Sequence, residues 1–246
     1  DLGVRRQFLG SLEAYEKALA LLPTHAEIAN DLGRLAFRMD MKPQAEKLFR
    51  HFLQAHPDNA EVISNLACAI RDQKRYDEAI DVLRAAIMDN PTSAQLWNTM
   101  GTVVSEQGDF PNADIFFSEA LRLDPGFFRA RYNLGNSRLA MADPAGALEA
   151  CEDALKQVTF GEERQMMLVA KSTALLCLGR LGEGWDAYEA RLHPDFHDCT
   201  HFLFEQPRWE PGMDLRGKSL VVVGEQGLGD EILFANVLPD VVEALG

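Results

Sequence analysis

Apolar and small positions recur along this chain at one fixed interval. The pairs Leu32-Gly33, Leu66-Ala67, Met100-Gly101 and Leu134-Gly135 lie 34 residues apart, and Ala45, Ala79, Ala113 and Ala147 keep the same step. Prolines fall in phase with them at Pro23, Pro57, Pro91 and Pro125. Three residue classes in register over four units mark an internal repeat, and a period of this length belongs to stacked arrays.

The chemistry of each class predicts two antiparallel helices per unit. A small residue in the first helix (Gly33, Ala67, Gly101, Gly135) and an alanine in the second let two backbones approach where they cross. Phe49, Leu83 and Phe117 fill the space beside the crossing. The proline follows the second helix and cannot continue it. Asp58-Asn59, Asn90 and Asp124 add turn-forming side chains beside it. Full units are expected over 26–59, 60–93, 94–127 and 128–161, after a partial unit over 1–25 that keeps Ser11, Tyr15, Ala18 and Pro23. Phe52 stands where Ala86, Ala120 and Ala154 keep a small residue, and Thr159 where proline is expected. Gly184 lies 37 rather than 34 residues after Ala147, so three residues are expected to enter near Phe160-Gly161. Residues 162–192 then read as a divergent capping unit, because the end of a stack must differ from its interior.

The pattern resembles the tetratricopeptide-repeat family, met best by Trp97, Met100-Gly101, Ala113, Phe117, Ala120 and Pro125. The resemblance implies a mostly α fold, a right-handed superhelix over residues 1–192, whose first helices line a concave face where a partner segment lies. The fifth and sixth positions of those helices are Asn30-Asp31, Ser64-Asn65, Asn98-Thr99 and Tyr132-Asn133, and the ninth are Arg34, Cys68, Thr102 and Asn136. The candidate groove residues are therefore Asn30, Arg34, Asn65, Asn98, Tyr132, Asn133 and Asn136. Asparagine both donates and accepts, which suits an extended backbone. The strip resembles the asparagine ladder of O-GlcNAc transferases. A solvated inner face is the alternative. A chaperone-tail clamp is disfavoured by Glu27 and Glu61 at the groove entrance. Trp97, Tyr15 and Phe117 read as core.

Composition narrows the partners. With 47% apolar and 25% charged residues the chain is in the ordinary globular range, and its net charge of −14 without a Lys/Arg block argues against nucleic acid and anionic membranes. No run reaches the length of a bilayer span and no signal-peptide pattern opens the chain, so a cytoplasmic protein is expected. Cys68, Cys151, Cys177 and Cys199 form no C-x-x-C, and the first three fall on apolar helix faces. The chain opens on Asp1, from which a longer parent polypeptide is expected.

After Leu192 the helical period stops. Residues 193–217 read as a linker. His193, His197, Cys199 and His201 fall within it but match no standard closed zinc spacing, so no metal is expected. Lys218-Ser219-Leu220-Val221-Val222-Val223 then reads as a buried parallel strand, followed by a turn carrying Gly224, Gly227 and Gly229 and by a helix over 231–245 interrupted at Pro239. Strand, glycine-rich turn and helix open a nucleotide-binding α/β domain of Rossmann-like type over 218–246, although G-x-x-G-x-G is not the dinucleotide fingerprint. Gly184-Trp185, Tyr188-Glu189-Ala190-Arg191, Pro207-Arg208-Trp209, Leu215-Arg216-Gly217-Lys218 and Glu225-Gln226-Gly227-Leu228-Gly229-Asp230 together resemble the bacterial tetratricopeptide glycosyltransferases, in which repeats are fused to a GT-B domain similar to heptosyltransferases. That resemblance implies a nucleotide-sugar donor without a metal and a protein acceptor, flagellin being one candidate. It also implies Asp230 as general base in the intact enzyme, with a helix-capping role as the alternative. Glu231-Ile232-Leu233-Phe234 and Asn236-Val237 depart from that family's usual residues. Residues 218–246 are too few for two Rossmann-like halves, so this chain alone is expected to be inactive, and a non-catalytic scaffold is the alternative function.

Overall fold

In the computed structural model the described residues are 10, 13, 14, 17, 26–196, 204–210, 212–214, 217–223 and 235–245. Four helix pairs follow the 34-residue step: α1 (Ala26–Arg38) with α2 (Lys42–Ala55), α3 (Ala60–Asp72) with α4 (Tyr76–Asp89), α5 (Ala94–Glu106) with α6 (Phe110–Leu123), and α7 (Phe128–Ala140) with α8 (Pro144–Leu155). A fifth pair, α9 (Gly161–Cys177) and α10 (Leu181–Tyr188), leads into a 3-10 turn over Glu189–Leu192. The partial unit over 1–25 lies almost wholly outside the described residues.

Each turn inside a pair is built alike. The first helix ends on a residue in the left-handed region: Asp40 (φ 63°), Lys74 (62°), Gly108 (86°), Ala142 (59°) and, in the fifth pair, Gly179 (75°). The amide three residues past the helix bonds back to its third-last carbonyl, as Met41 N to Ala36 O at 2.9 Å and Asp143 N to Arg138 O at 2.8 Å. This six-to-one closure satisfies carbonyls that a helix end leaves open. Between pairs, Asn59 accepts from the Val62 amide at 3.0 Å and Ser93 from the Leu96 amide at 3.4 Å, capping α3 and α5. Pro57, Pro91 and Pro125 sit in these connections.

The helix crossings show why small residues are required. A Cβ on Gly33 would lie 2.6 Å from Phe49 Cε1, and one on Gly101 would lie 2.5 Å from Phe117 Cε1. The glycine leaves the place that the phenyl ring occupies. In the second pair the corresponding residues are Ala67 and the smaller Leu83, both fully buried. Phe52 packs inside without opening the stack, its ring 4.7 Å from that of His56. One core runs continuously through the first three pairs to Leu134, as expected where each repeat buries its apolar face against its neighbours.

Polar bridges also cross between pairs. Glu46 on α2 is nearly buried and accepts from Arg75 at 2.7 and 3.3 Å, Gln73 at 2.8 Å and Arg50 at 3.0 Å. Burial would raise its pKa, yet the hydrogen bonds from Arg75, Gln73 and Arg50 together hold it below the usual glutamate value. Arg138 joins α7 to α6 and α8 through Asp114 at 3.2 Å and Gly146 O at 3.1 Å.

The expected shift of register is real but lies elsewhere. α9 has 17 residues where α7 has 13, so the extra length extends the first helix of the fifth pair and does not enter at Phe160-Gly161. Gly184 on α10 packs on Leu176, whose Cδ2 would meet an added Cβ at 2.7 Å.

One expectation beyond residue 192 is corrected. Residues 218–223 form no strand, and none occurs among the described residues. A strand exists through its ladder, and among the described residues Val221, Val222 and Val223 have no partner strand to satisfy their backbone groups or cover their side chains. The break expected at Pro239 is seen among the described residues: Ala235 is helical, 236–237 form a turn, and Pro239 stands in the first turn of α11 (Leu238–Leu245), where a missing amide donor is tolerated. The expected helix residues 231–234 and the turn with Gly224, Gly227, Gly229 and Asp230 lie outside the described residues.

Candidate binding groove

First helices pack against one another from pair to pair, so their fifth, sixth and ninth positions align along one face. Asn133 Nδ2 donates to Asn98 Oδ1 at 3.0 Å, a bond from the sixth position of one repeat to the fifth of the repeat before it. Arg34 Nη1 reaches Glu61 Oε1 at 3.5 Å, joining a ninth position to the second position of the next repeat. These contacts join neighbouring first helices through positions of the expected strip.

The members of the strip are not equivalent. Asn98 is buried and tied to Asn133, so this pair braces the third repeat against the fourth. Asn30 and Asn65, the corresponding pair one helix pair apart, are half-buried, and Asn30 Oδ1 has no hydrogen-bond partner. Ser64 is 3% exposed with its Oγ also unpartnered. Thr99 and Thr102 turn their hydroxyls onto the helix backbone, donating to Gln95 O at 2.9 Å and Thr99 O at 2.7 Å. Tyr132 is half-buried, stacked on Phe128 with ring centroids 6.2 Å apart, and Asn136 and Arg34 are exposed. Asn136, Asn65 and Arg34 therefore offer the most accessible polar groups among the seven candidates.

Charge was less legible. The second positions read Glu27, Glu61, Gln95 and Arg129, passing from acidic to basic along the groove. Arg129 is exposed, and its charge acts on the Cys68 thiol, whose pKa is raised foremost by burial. The 34-residue phase applied to the second position would have exposed this row. Trp97 is partly buried against Phe116 at 5.9 Å and donates to Pro91 O at 2.8 Å; Phe117 is core, as expected, and Tyr15 lies outside the described residues.

The geometry of paired helices, an Ala/Gly crossing and a 34-residue step decides the family. Tetratricopeptide-repeat families match residues 43–103 and 98–162. The array is a stack of tetratricopeptide repeats. Such stacks are protein-interaction modules. Protein FlbA of Caulobacter vibrioides is 52% identical over 239 residues, 97% of this chain, and the chain spans 40% of that relative's length. In fold the chain is similar to PilW, described as a type IV pilus biogenesis factor, with a TM-score of 0.62 at 21% identity over 77% of this chain and 86% of PilW. It is also similar to a tetratricopeptide-repeat protein of Thermus thermophilus, with a TM-score of 0.58 at 22% identity over 71% of this chain and 94% of that one.

At the other end, the motif residues beyond the array come together. Arg208 donates to Glu189 at 3.0 and 3.3 Å, strapping residues 204–210 back onto the terminal turn. Trp185 meets Tyr188 edge-on at 5.6 Å, and Arg191 lies over the Tyr188 ring at 4.3 Å. Among the described residues no three His, Cys, Asp or Glu side chains cluster to hold a metal, and no helix is long and apolar enough to cross a membrane. His193 accepts from the Asp195 amide at 3.1 Å, whereas His197, Cys199 and His201 lie outside the described residues.

Proposed function

We propose that the repeats recruit a protein acceptor in the cytoplasm and that residues 218–246 begin the GT-B domain that glycosylates it. The observation that carries the first half is the strip of amide side chains in register with the helix pairs, of which Asn65 and Asn136 are accessible. The second half is supported by the motif string from Gly184 to Asp230, part of which the fold draws together around Glu189 and Arg208. In this reading the donor is a nucleotide sugar used without a metal, Gly224, Gly227 and Gly229 shape its turn, and Asp230 takes the proton from the acceptor hydroxyl. Flagellin is the acceptor to try first.

Calorimetric titration of flagellin into the chain tests recruitment. Asn65→Ala with Asn136→Ala is expected to weaken binding at least several-fold; unchanged affinity would move recruitment off this face. Asp230→Asn in the parent polypeptide is expected to keep binding and lose transfer. A second reading, a non-catalytic scaffold, is compatible with the tetratricopeptide repeats themselves. Transfer activity of the parent would decide against it.

A further inference from the structure

The groove has two unlike halves. Along α1 and α3 the inner stripe carries Glu27 and Glu61 at the second position and Asn30 and Ser64 at the fifth, each three residues further along the same helix face. Both fifth-position oxygens, Asn30 Oδ1 and Ser64 Oγ, are buried without a hydrogen-bond partner, and Ser64 as a whole is 3% exposed. In the third repeat the same position is satisfied, since Asn98 Oδ1 accepts from Asn133. The first half of the groove is therefore short of donors, and the second is not.

The carboxylates in that half are also underused. Glu27 is 82% exposed, and among the described residues it pairs with His56 at 4.0 Å, which carries charge only when protonated. Glu61 meets Arg34 at 3.5 Å with both side chains more than half exposed, a contact that water weakens and that leaves one carboxylate oxygen open. In the fourth repeat Arg129 takes the corresponding position.

We propose that the half of the groove formed by α1 and α3 holds a basic segment of the partner protein, whose Lys or Arg side chains donate to Glu27 and Glu61 and whose N–H groups serve Asn30 and Ser64. This rests on the groove being the recruiting surface. Cationic donors match both deficits, the open carboxylates and the unpartnered acceptors. An acidic segment would meet like charge at Glu27 and Glu61. The chain's net charge of −14 speeds the encounter, and the inner stripe fixes where it ends.

A fluorescein-labelled Lys-Ala peptide and its Glu-Ala counterpart, followed by anisotropy with the full chain, test this. The Lys-Ala peptide is expected to bind, and Glu27→Gln with Glu61→Gln to weaken it about tenfold, two exposed ion pairs' worth. Asp89→Asn with Glu149→Gln removes equal charge from exposed positions on second helices and is expected to change affinity less than about twofold. Circular dichroism on both double variants checks that the fold is kept. Equal weakening by the two double variants would overturn the proposal, because the attraction would then belong to net charge alone. Tighter binding of the Glu-Ala peptide, lost on Asn136→Ala, would also overturn it while leaving the groove as the recruiting surface. If no groove substitution altered the binding of either peptide, both readings would fall.

Discussion

The third and fourth repeats share a sequence frame yet solve the same crossing differently. Gly101 faces Phe117, whose ring fills the space a side chain would need, with 2.5 Å left for a Cβ. Gly135 faces Cys151, and the nearest atoms to an added Cβ are Cys151 Sγ at 3.8 Å and Ala147 O at 3.9 Å. The first glycine is required by packing. The second is inherited from the repeat pattern without a steric demand. The turns diverge in the same two repeats, since Gly108 and Ala142 hold one left-handed conformation with and without a side chain. A repeat position thus specifies a place in the frame, and its neighbours decide what that place needs.

The largest effect expected is on the ring itself. Phe117→Ala should cost about 3–5 kcal/mol by emptying a fully buried site, whereas Cys151→Ala removes only a sulfur and should cost about 1–2 kcal/mol. Urea midpoints of the two variants measure the difference, and equal losses would erase the contrast between the crossings.

A pH series separates them further. Burial foremost pushes the Cys151 thiol up to about 11. The folded chain therefore keeps its proton after the unfolded chain has released it, and stability is full below about pH 9 and falls as pH rises toward 11. Two units correspond to about 2–3 kcal/mol. Cys151→Ala is expected to flatten that part of the stability profile; an unchanged slope would mean that the thiol titrates freely.

The glycines should then respond with opposite sign. Gly101→Ala is expected to destabilise by about 1–3 kcal/mol through overpacking, because the clash is with a ring held on all sides. Gly135→Ala should stabilise by about 0.5–1 kcal/mol, the helical advantage of alanine over glycine where there is room. Thermal denaturation of both is the measurement, and a loss at Gly135 would show hidden crowding.

The turn pair gives the smallest shifts. Gly108→Ala is expected to cost about 1 kcal/mol and Ala142→Gly to gain somewhat less, since only glycine holds positive φ without a Cβ penalty. Denaturant midpoints again suffice, and gains from both substitutions would break the equivalence of the two turns.

Much of the array was legible because its stabilising rule is local and repeated. Prolines, alanines and the Leu-Gly pairs return at 34 residues, and the helices begin at that step from Ala26 to Pro144. The inner strip was legible as positions but not as states. Nothing in the residue types says that Asn98 bonds to Asn133 while Asn30 keeps an open oxygen, since that follows from how two neighbouring helices are offset. The second-position row from Glu27 to Arg129 is written in the sequence at the same 34-residue step.

The helix pairs from Ala26 onward and their phase follow from the sequence, since helical periodicity and chain breaks are properties of neighbours along the chain. Tertiary structure decided the rest. Whether Gly101 is indispensable and Gly135 is not depends on which side chain arrives from the second helix, and the added turn of α9 became visible only when its ends were fixed by packing. The valines at 221–223 mark the same boundary from the other side. Their β-branched pattern encodes a preference for extended backbone, but a strand is formed by pairing, and among the described residues no second strand lies beside them.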